Sequence, residues 1–266
     1  MTIKEVFENK DLIITQKQNA IKHSDVTTGL ISKGSASKME GMPSEDVSKL
    51  NVELVINTCN IIDSHMDCHI NGCFKKSTQE TKLFYLLQEH EMEFKYIIAD
   101  SVNDNLTASL KSLKWSDLGY NYKGSTEALV FDSTISKERN EFMFNQYLKG
   151  YVLNHSVGMR YIKMFLCINS EEAVYSSEKS NWDNYYPMVV NKEVADDKGY
   201  FWAVTEAKFI EGSAVVRGSN QATPTLSVSE QKDIEPSTDT HESKEADNSH
   251  KVTLEQKTKI SIYNFN

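Results

Sequence analysis

Apolar and polar side chains alternate with a period of two along several short stretches of the chain, as is typical of strands that bury one face. The clearest case is LNVELVINT, which begins at Leu50. Two longer apolar runs predict further strands: 155–168 as one strand, and 201–216 as one long bent strand or a pair of strands, with Gly212 as the bulge site. The whole pattern predicts a fold dominated by strands. The other predicted strands are LFYLLQ, FKYIIADSV, TEALVFDST and, as a strand or loop pair, TASLKSLKWSDLGY.

Helical spacing is clear in one stretch, SKERNEFMFNQYLKG at 136–150. Its aromatic and aliphatic residues recur every three or four positions, a serine is available to cap its start, and Gly150 to end it. A second segment, from about 170 to 200, is rich in polar and aromatic residues, and we interpret it as a lid or a short helix. The pattern therefore predicts helix in addition to the strands.

The two ends of the chain differ from its middle. Residues 1–50 contain a strand-like DLIITQ followed by a polar, Ser- and Lys-rich stretch, which predicts an N-terminal strand and a mobile connection. Residues 51–218 carry the predicted main domain. Residues 219–266 are poor in apolar side chains and rich in Ser, Thr, Asp, Glu and Lys, so we expect a disordered tail that serves as a processing or tethering segment.

Charge and hydropathy narrow the functional classes. The 266-residue chain has a net charge of -9 and no basic cluster, which argues against binding to nucleic acid. No window approaches the ~20 apolar residues of a membrane-spanning helix, and the N-terminus lacks a signal-peptide core. We therefore expect a soluble cytoplasmic protein with neither a nucleic-acid nor a membrane partner.

Cysteine and histidine residues crowd into one segment, which raises the alternative of a zinc-binding module. The spacing is poor for zinc, because no Cys-x-x-Cys pair is present and no second knuckle follows. We expect reduced thiols, no structural disulfide and no bound metal. The residues concerned are Cys59, His65, Cys68, His69 and Cys73.

A serine nucleophile is the main chemical hypothesis. Ser156 lies where an irregular joint meets a strand, with His90 far upstream and Glu211 far downstream, and a nucleophile, a base and an orienting group can meet through the fold in any chain order. His155 is a poor base for Ser156, because neighbouring side chains on a strand point to opposite faces. Glu206 competes with Glu211 for the third role, and the sequence leaves that choice open.

Three residues are candidates to support an oxyanion. Gly158 shares a strand face with Ser156 and leaves room for a substrate backbone and for amide donors. Arg160 is predicted to lie on the same face, and Arg217 follows Glu211 at a strand end. Any of the three could stabilise the negative charge of an acyl-transfer intermediate.

Four blocks occur in order between about residues 51 and 225: IIDSHMDCHINGCFKK, LFYLLQEHE, HSVGM and IEGSAVVRGSNQATP. Together they resemble the motifs of the prohead proteases, or capsid maturation proteases, of tailed bacteriophages, whose fold is related to that of herpesvirus assemblins. The resemblance places the catalytic histidine on His90 and the nucleophile on Ser156. The other matching positions are Asp63, Asp67, Gly72, Phe74, Glu211, Ser213, Val215, Ser219, Asn220 and Thr223.

The resemblance implies a small, mostly antiparallel β-barrel of assemblin-like type, α+β in class, with helices packed around it. It also implies a serine endopeptidase without a cofactor, which acts inside the assembling prohead in the host bacterial cytoplasm. The implied substrates are the scaffold protein, the scaffolding segment of the major capsid protein, and the protease itself; assembly into a homo-oligomer is left open. The alternative is a non-enzymatic capsid-assembly or scaffold protein that keeps the same fold.

Overall fold

Two β-sheets make up most of the protein. The computed structural model describes residues 1–19 and 47–231. The strands are β1 (Lys49–Thr58), β2 (Asp67–His69), β3 (Tyr85–Gln88), β4 (Ile97–Asp100), β5 (Thr107–Lys114), β6 (Ser125–Ser136), β7 (Asn154–Ile168), β8 (Tyr200–Val215) and β9 (Thr225–Glu230). The helices are α1 (Ile3–Glu8), α2 (Lys10–Asn19), α3 (Lys75–Glu80), α4 (Glu141–Leu148), α5 (Ser176–Tyr185) and α6 (Lys192–Lys198), with 3-10 turns at Phe94–Tyr96, Ala173–Tyr175 and Tyr186–Met188.

The first sheet is antiparallel and has the order β5-β6-β1-β9. The second is mixed, because β8 pairs antiparallel with β7 along its length but parallel with both β2 and β3. β4 adds to β3 at the edge. With about 39% strand and 27% helix, this is a mixed α/β domain. Among the described strands the sheets are not closed into a barrel, so the expected small antiparallel β-barrel is not confirmed.

The two sheets pack against each other through a dense aromatic core. The rings of Phe84, Phe131 and Phe209 lie with their centroids 5.2 to 5.8 Å apart. Gly212 of β8 faces this core, where an added Cβ would lie only 2.7 Å from Phe131 Cε2. Gly212 itself pairs regularly with β7, and the register slips at Ile210 instead. The predicted bulge site was therefore wrong. A glycine is present at position 212 because the two sheets pack closely there.

The N-terminal segment is helical, so the strand predicted at DLIITQ was wrong. These residues lie in α2, where Ile13 and Ile14 pack partly buried against the core. α2 is held to the domain by two ion pairs, Lys10 with Glu178 and Lys17 with the fully buried Asp67. Three consecutive apolar residues suit a strand or one face of a helix equally well, and tertiary contacts decided between them. The predicted mobile connection falls mainly on residues 20–46, which lie outside the described residues.

The ordered domain extends beyond residue 218. β9 pairs with β1, while Asn220 and Thr223 are buried. The disorder predicted from residue 219 was therefore wrong as far as Gln231, and the remainder of the predicted tail lies outside the described residues. Composition misled here because this segment is stabilised by hydrogen bonds: the Asn220 side chain accepts from Thr58 Oγ1 and donates to the Thr58 carbonyl.

The other predicted elements have counterparts in the structure. The helix predicted at 136–150 is α4, and its cap is Asn140, which accepts the backbone N–H of Met143, rather than a serine. The chain leaves this helix at Gly150, whose φ is 69°. The segment at 170–200 forms α5 and α6, and Trp182 packs it onto β8 through Phe201. No helix in the described ranges is long and apolar enough to cross a membrane.

Candidate functional site

His90 lies in a tight turn directly after β3. Glu89 and His90 both have left-handed backbone conformations, with φ of 52° and 63°, and Glu91 donates its N–H to the Gln88 carbonyl across the turn. Consecutive left-handed residues characterise a type I′ turn, which normally prefers Gly, Asn or Asp. Glutamate and histidine at such positions carry backbone strain of about 1–3 kcal/mol each. Strain of this kind accumulates at functional sites, where surrounding contacts hold the residue in place.

The His90 ring contacts Glu211 of β8. Its Nδ1 lies 2.7 Å from Glu211 Oε1, and the two side chains are only 9% and 2% exposed. Ser213 binds the other carboxyl oxygen, because its hydroxyl donates to Glu211 Oε2 at 2.6 Å. The same hydroxyl accepts the backbone N–H of His90 at 3.1 Å. The histidine, the carboxylate and Ser213 thus form one hydrogen-bonded group.

Ser156 lies on the neighbouring strand, on the same face of the sheet as this group. It is the third residue of β7, is buried, and pairs with Ser213 across the β7–β8 ladder. Directly opposed residues of antiparallel strands project to the same face, with Cβ atoms about 4.5–5.5 Å apart. The ladder therefore places Ser156 beside the His90–Glu211 pair, inside a strand rather than at its irregular start.

Gly158 provides the space that Glu211 occupies. The two residues are paired across the ladder, and a Cβ added to Gly158 would lie 2.0 Å from Glu211 Oε1. Any other residue at this position would displace the carboxylate. Gly158 was predicted to support the oxyanion, whereas its observed contact is with the Glu211 carboxylate, which itself contacts His90.

The direction of the backbone amides also bears on the oxyanion. His155 donates its N–H to the Thr223 carbonyl, on the side of β7 that faces away from β8. Because successive amides of a strand point to alternate edges, Ser156 and Gly158 direct their N–H groups into the ladder with β8. The N–H of Val157 points to the same side as that of His155, away from β8.

The two candidate arginines differ in position. Arg160 is exposed on β7, beyond the register shift at Gly158 and Met159. Arg217 is partly buried in the loop after β8. The next residue, Gly218, lies beside the serine, because a Cβ added there would be 3.7 Å from Ser156 Cβ. Of the two arginines, Arg217 therefore belongs to the segment adjacent to Ser156.

The two competing candidates, His155 for the base and Glu206 for the third role, contact other residues of the fold. Glu206 forms an ion pair with Lys76, 3.6 Å away, while Glu211 contacts His90. His155 is fully buried and its Nε2 lies 3.0 Å from Tyr147 Oη. Burial lowers the pKa of His155 to about 4, which keeps this imidazole neutral. The structure thus separates His155 and Glu206 from the group around His90.

The Cys- and His-rich segment considered for zinc binding has a structural role in the fold. All four cysteines of the chain are buried free thiols, with Cys59 Sγ and Cys73 Sγ 3.9 Å apart. His69 is buried between the rings of Phe74 and Tyr161, and this burial lowers its pKa to about 4. Within residues 1–19 and 47–231, no group of three or more His, Cys, Asp or Glu residues is placed to hold a metal ion.

The two aspartates of the first motif block, Asp63 and Asp67, stabilise the fold around β2. Asp63 accepts the backbone N–H groups of His65 and Asp67, while Asp67 accepts from Tyr161 Oη and pairs with Lys17. Burial and the neighbouring Asp67 raise the pKa of Asp63 to about 7. These contacts stabilise the loop before β2 and join it to the N-terminal helix.

Sequence reasoning did not assign a role to Ser213, which is central to the observed hydrogen bonds. A signal was present, because Glu211 and Ser213 are two residues apart on a strand and must therefore share a face.

Comparisons with protein-family models, with curated proteins and with solved structures found no match for this chain.

Proposed function

We propose that the protein is a serine endopeptidase with Ser156 as nucleophile, His90 as general base and acid, and Glu211 as the orienting group. The observation that carries the proposal is the buried 2.7 Å contact between His90 Nδ1 and Glu211 Oε1, on the sheet face where Ser156 lies. A nucleophile, a base and a group that orients the base are the three parts that serine catalysis requires.

The proposed mechanism is acyl transfer through a covalent acyl-enzyme. Because Glu211 contacts Nδ1, the other ring nitrogen of His90, Nε2, takes the proton of Ser156 Oγ as this oxygen attacks the peptide carbonyl. His90 then gives that proton to the leaving amine as the C–N bond breaks. Water repeats the sequence on the acyl-enzyme, which releases the acid and restores the Ser156 hydroxyl.

The loop after β8 is the best placed segment to stabilise the oxyanion. The amide of Gly158 is directed into the ladder, whereas that of Val157 points away from β8, and Gly218 of this loop lies next to Ser156. We assign the oxyanion donors to the Val157 amide and to the segment that contains Arg217. Donors that are already in place before the reaction lower the barrier most.

The substrate class follows from the motif resemblance. It suggests that the protease cleaves a phage scaffold protein, the scaffolding segment of the major capsid protein, and its own chain, inside a maturing prohead. The alternative, a non-enzymatic assembly protein with the same fold, predicts that these proteins stay intact. Co-expression of the chain with its cognate capsid and scaffold proteins separates the two, since Ser156→Ala should abolish cleavage under the first proposal and change nothing under the second.

A fluorophosphonate probe tests the nucleophile directly. The folded wild-type protein should form an adduct on Ser156, located by peptide mass spectrometry, and Ser156→Ala should form none. His90→Ala should react at least about 10²-fold more slowly, since general-base catalysis contributes factors of this size. Ser116→Ala, which changes an exposed serine in a turn, should react like the wild type. An unlabelled Ser156 in a folded protein that also leaves the co-expressed proteins uncleaved would refute the proposal.

A further inference from the structure

One buried hydroxyl joins the proposed base and its orienting group. Ser213 is fully buried on β8, donates to Glu211 Oε2 at 2.6 Å, and accepts the His90 backbone N–H at 3.1 Å. A serine hydroxyl has one hydrogen to donate and two lone pairs to accept, so both hydrogen bonds can exist together. Ser213 therefore contacts the side chain of one proposed catalytic residue and the backbone of the other.

We propose that Ser213 is a positioning residue that sets the geometry of the His90–Glu211 pair. This inference rests on the proposed function of the same site. It concerns how the base is held, and it assigns to Ser213 no contact with a substrate.

The first part of this role is to fix the carboxylate. The terminal torsion of a glutamate side chain is broad and roughly two-fold, so a carboxylate with one partner can rotate. The Ser213 hydroxyl binds Oε2 and leaves Oε1 directed at His90 Nδ1. Gly158 has no side chain, and Glu211 Oε1 occupies the space in which a Cβ of residue 158 would lie. Ser213 and Gly158 thus define a single orientation of the Glu211 carboxylate.

The second part is to hold the turn that carries the histidine. His90 has a left-handed backbone, which is an unfavourable conformation for a residue that carries a Cβ. Its amide is held by Ser213 Oγ, and the preceding amide of Glu89 is held by the Ala214 carbonyl. The hydrogen bonds to β8 therefore compensate for the strain and keep the imidazole over Glu211.

The same contacts distinguish the two serines that face each other across the ladder. Ser156 and Ser213 are directly paired, so strand geometry alone would allow either to be the nucleophile. The hydrogen of Ser213 is committed to a carboxylate, and its oxygen accepts an amide. Ser213 is therefore held as a structural hydroxyl, which assigns the attacking role to Ser156.

The test compares the rate at which the fluorophosphonate labels Ser156 in the full chain. Ser213→Ala should lower this rate by about 10- to 100-fold, because the carboxylate and the turn both lose a contact while all three proposed catalytic groups remain. The acid limb of the pH–rate profile should move to higher pH, since a carboxylate that has lost a donor attracts a proton to itself or to the imidazole more strongly. Thr126→Val removes a buried hydroxyl that donates to the Cys59 carbonyl, away from the site, and should leave both rate and pH profile unchanged.

A double-mutant cycle separates positioning from general damage to the fold. In a Glu211→Gln background, Ser213→Ala should cause a smaller further loss than in the wild-type background, because its contact with the carboxylate is already disturbed and only the hydrogen bond to the His90 amide remains to be lost. Ser213→Cys fills the same site with a weaker donor and gives the same readout if the alanine variant does not fold. A wild-type labelling rate with an unmoved acid limb in a folded Ser213 variant would overturn this inference alone. A folded wild-type protein in which Ser156 is not labelled and the co-expressed proteins stay uncleaved would instead overturn the proposed function on which it rests.

Discussion

Substitution of Gly158 by alanine tests the core of the site with a single methyl group. The added Cβ would lie 2.0 Å from Glu211 Oε1 and 2.9 Å from its Cδ, distances at which the carboxylate must move. Glu211 is only 2% exposed and is enclosed by His90 and Ser213. It cannot move aside and keep both contacts.

The magnitude follows from the contacts that are lost. Each hydrogen bond to a charged group contributes about 1.5–3 kcal/mol, so losing one or both of those on Glu211 should lower the free energy of unfolding by about 2–5 kcal/mol. The effect on reactivity should be larger. Removal of the group that orients the histidine costs serine proteases on the order of 10⁴-fold in rate, and we expect a 10³- to 10⁴-fold slower labelling of Ser156 in Gly158→Ala.

Gly212→Ala is the matched control. Its Cβ would also clash, 2.7 Å from Phe131 Cε2 and 3.0 Å from Ile56 Cδ1, but on the face of β8 that lies against the other sheet. Overpacking of this kind costs about 1–3 kcal/mol, so both variants should be less stable in urea titrations. Labelling by the fluorophosphonate, measured per folded molecule, should fall steeply only in Gly158→Ala. Equal labelling rates in the two variants would refute the assignment of Glu211 as the orienting group.

Two further predictions concern stability. Lys17→Met should lower the free energy of unfolding by about 3–5 kcal/mol in urea titrations, because it removes the ion-pair partner of the buried Asp67. The control Lys4→Met, at an exposed lysine, should change the free energy of unfolding by less than about 0.5 kcal/mol. Equal effects of the two variants would contradict the role of the buried pair. His69 has a folded pKa of about 4 against an ordinary 6.5, so it stays neutral while the unfolded chain gains a proton, and stability is lost as pH falls from 6.5 toward 4. His69→Phe should remove about 2 kcal/mol of the difference in stability between pH 7 and pH 4.5, and an unchanged pH dependence would show that His69 is protonated in the fold.

Local pattern was sufficient where one physical effect dominates. Period-two alternation predicted β1, because a strand with one buried face must alternate. The spacing around Phe144 and Tyr147 predicted α4 for the equivalent reason in a helix. The same facing rule excluded His155 as the partner of Ser156, and the buried contact of His155 with Tyr147 agrees with that exclusion.

Local pattern failed where long-range contacts decide the structure. DLIITQ is helical because Ile13 and Ile14 meet the core and Lys17 reaches Asp67, and none of these partners is close in sequence. Residues 219–231 are ordered although their composition is polar, because hydrogen bonds such as those of Asn220 replace apolar burial. The two open sheets, one antiparallel and one mixed, depend on which strands pair, and alternation says nothing about pairing.

The sequence by itself determined the chemical candidates, Ser156, His90 and Glu211, and the strand faces of Ser156 and Glu211. The tertiary structure alone decided between Glu211 and Glu206, since only the pairing of β3 and β7 with β8 brings one carboxylate to His90 and leaves the other beside Lys76. The physical reason is that periodicity is a property of one strand. Distance between residues more than a hundred positions apart is a property of how strands are joined in register.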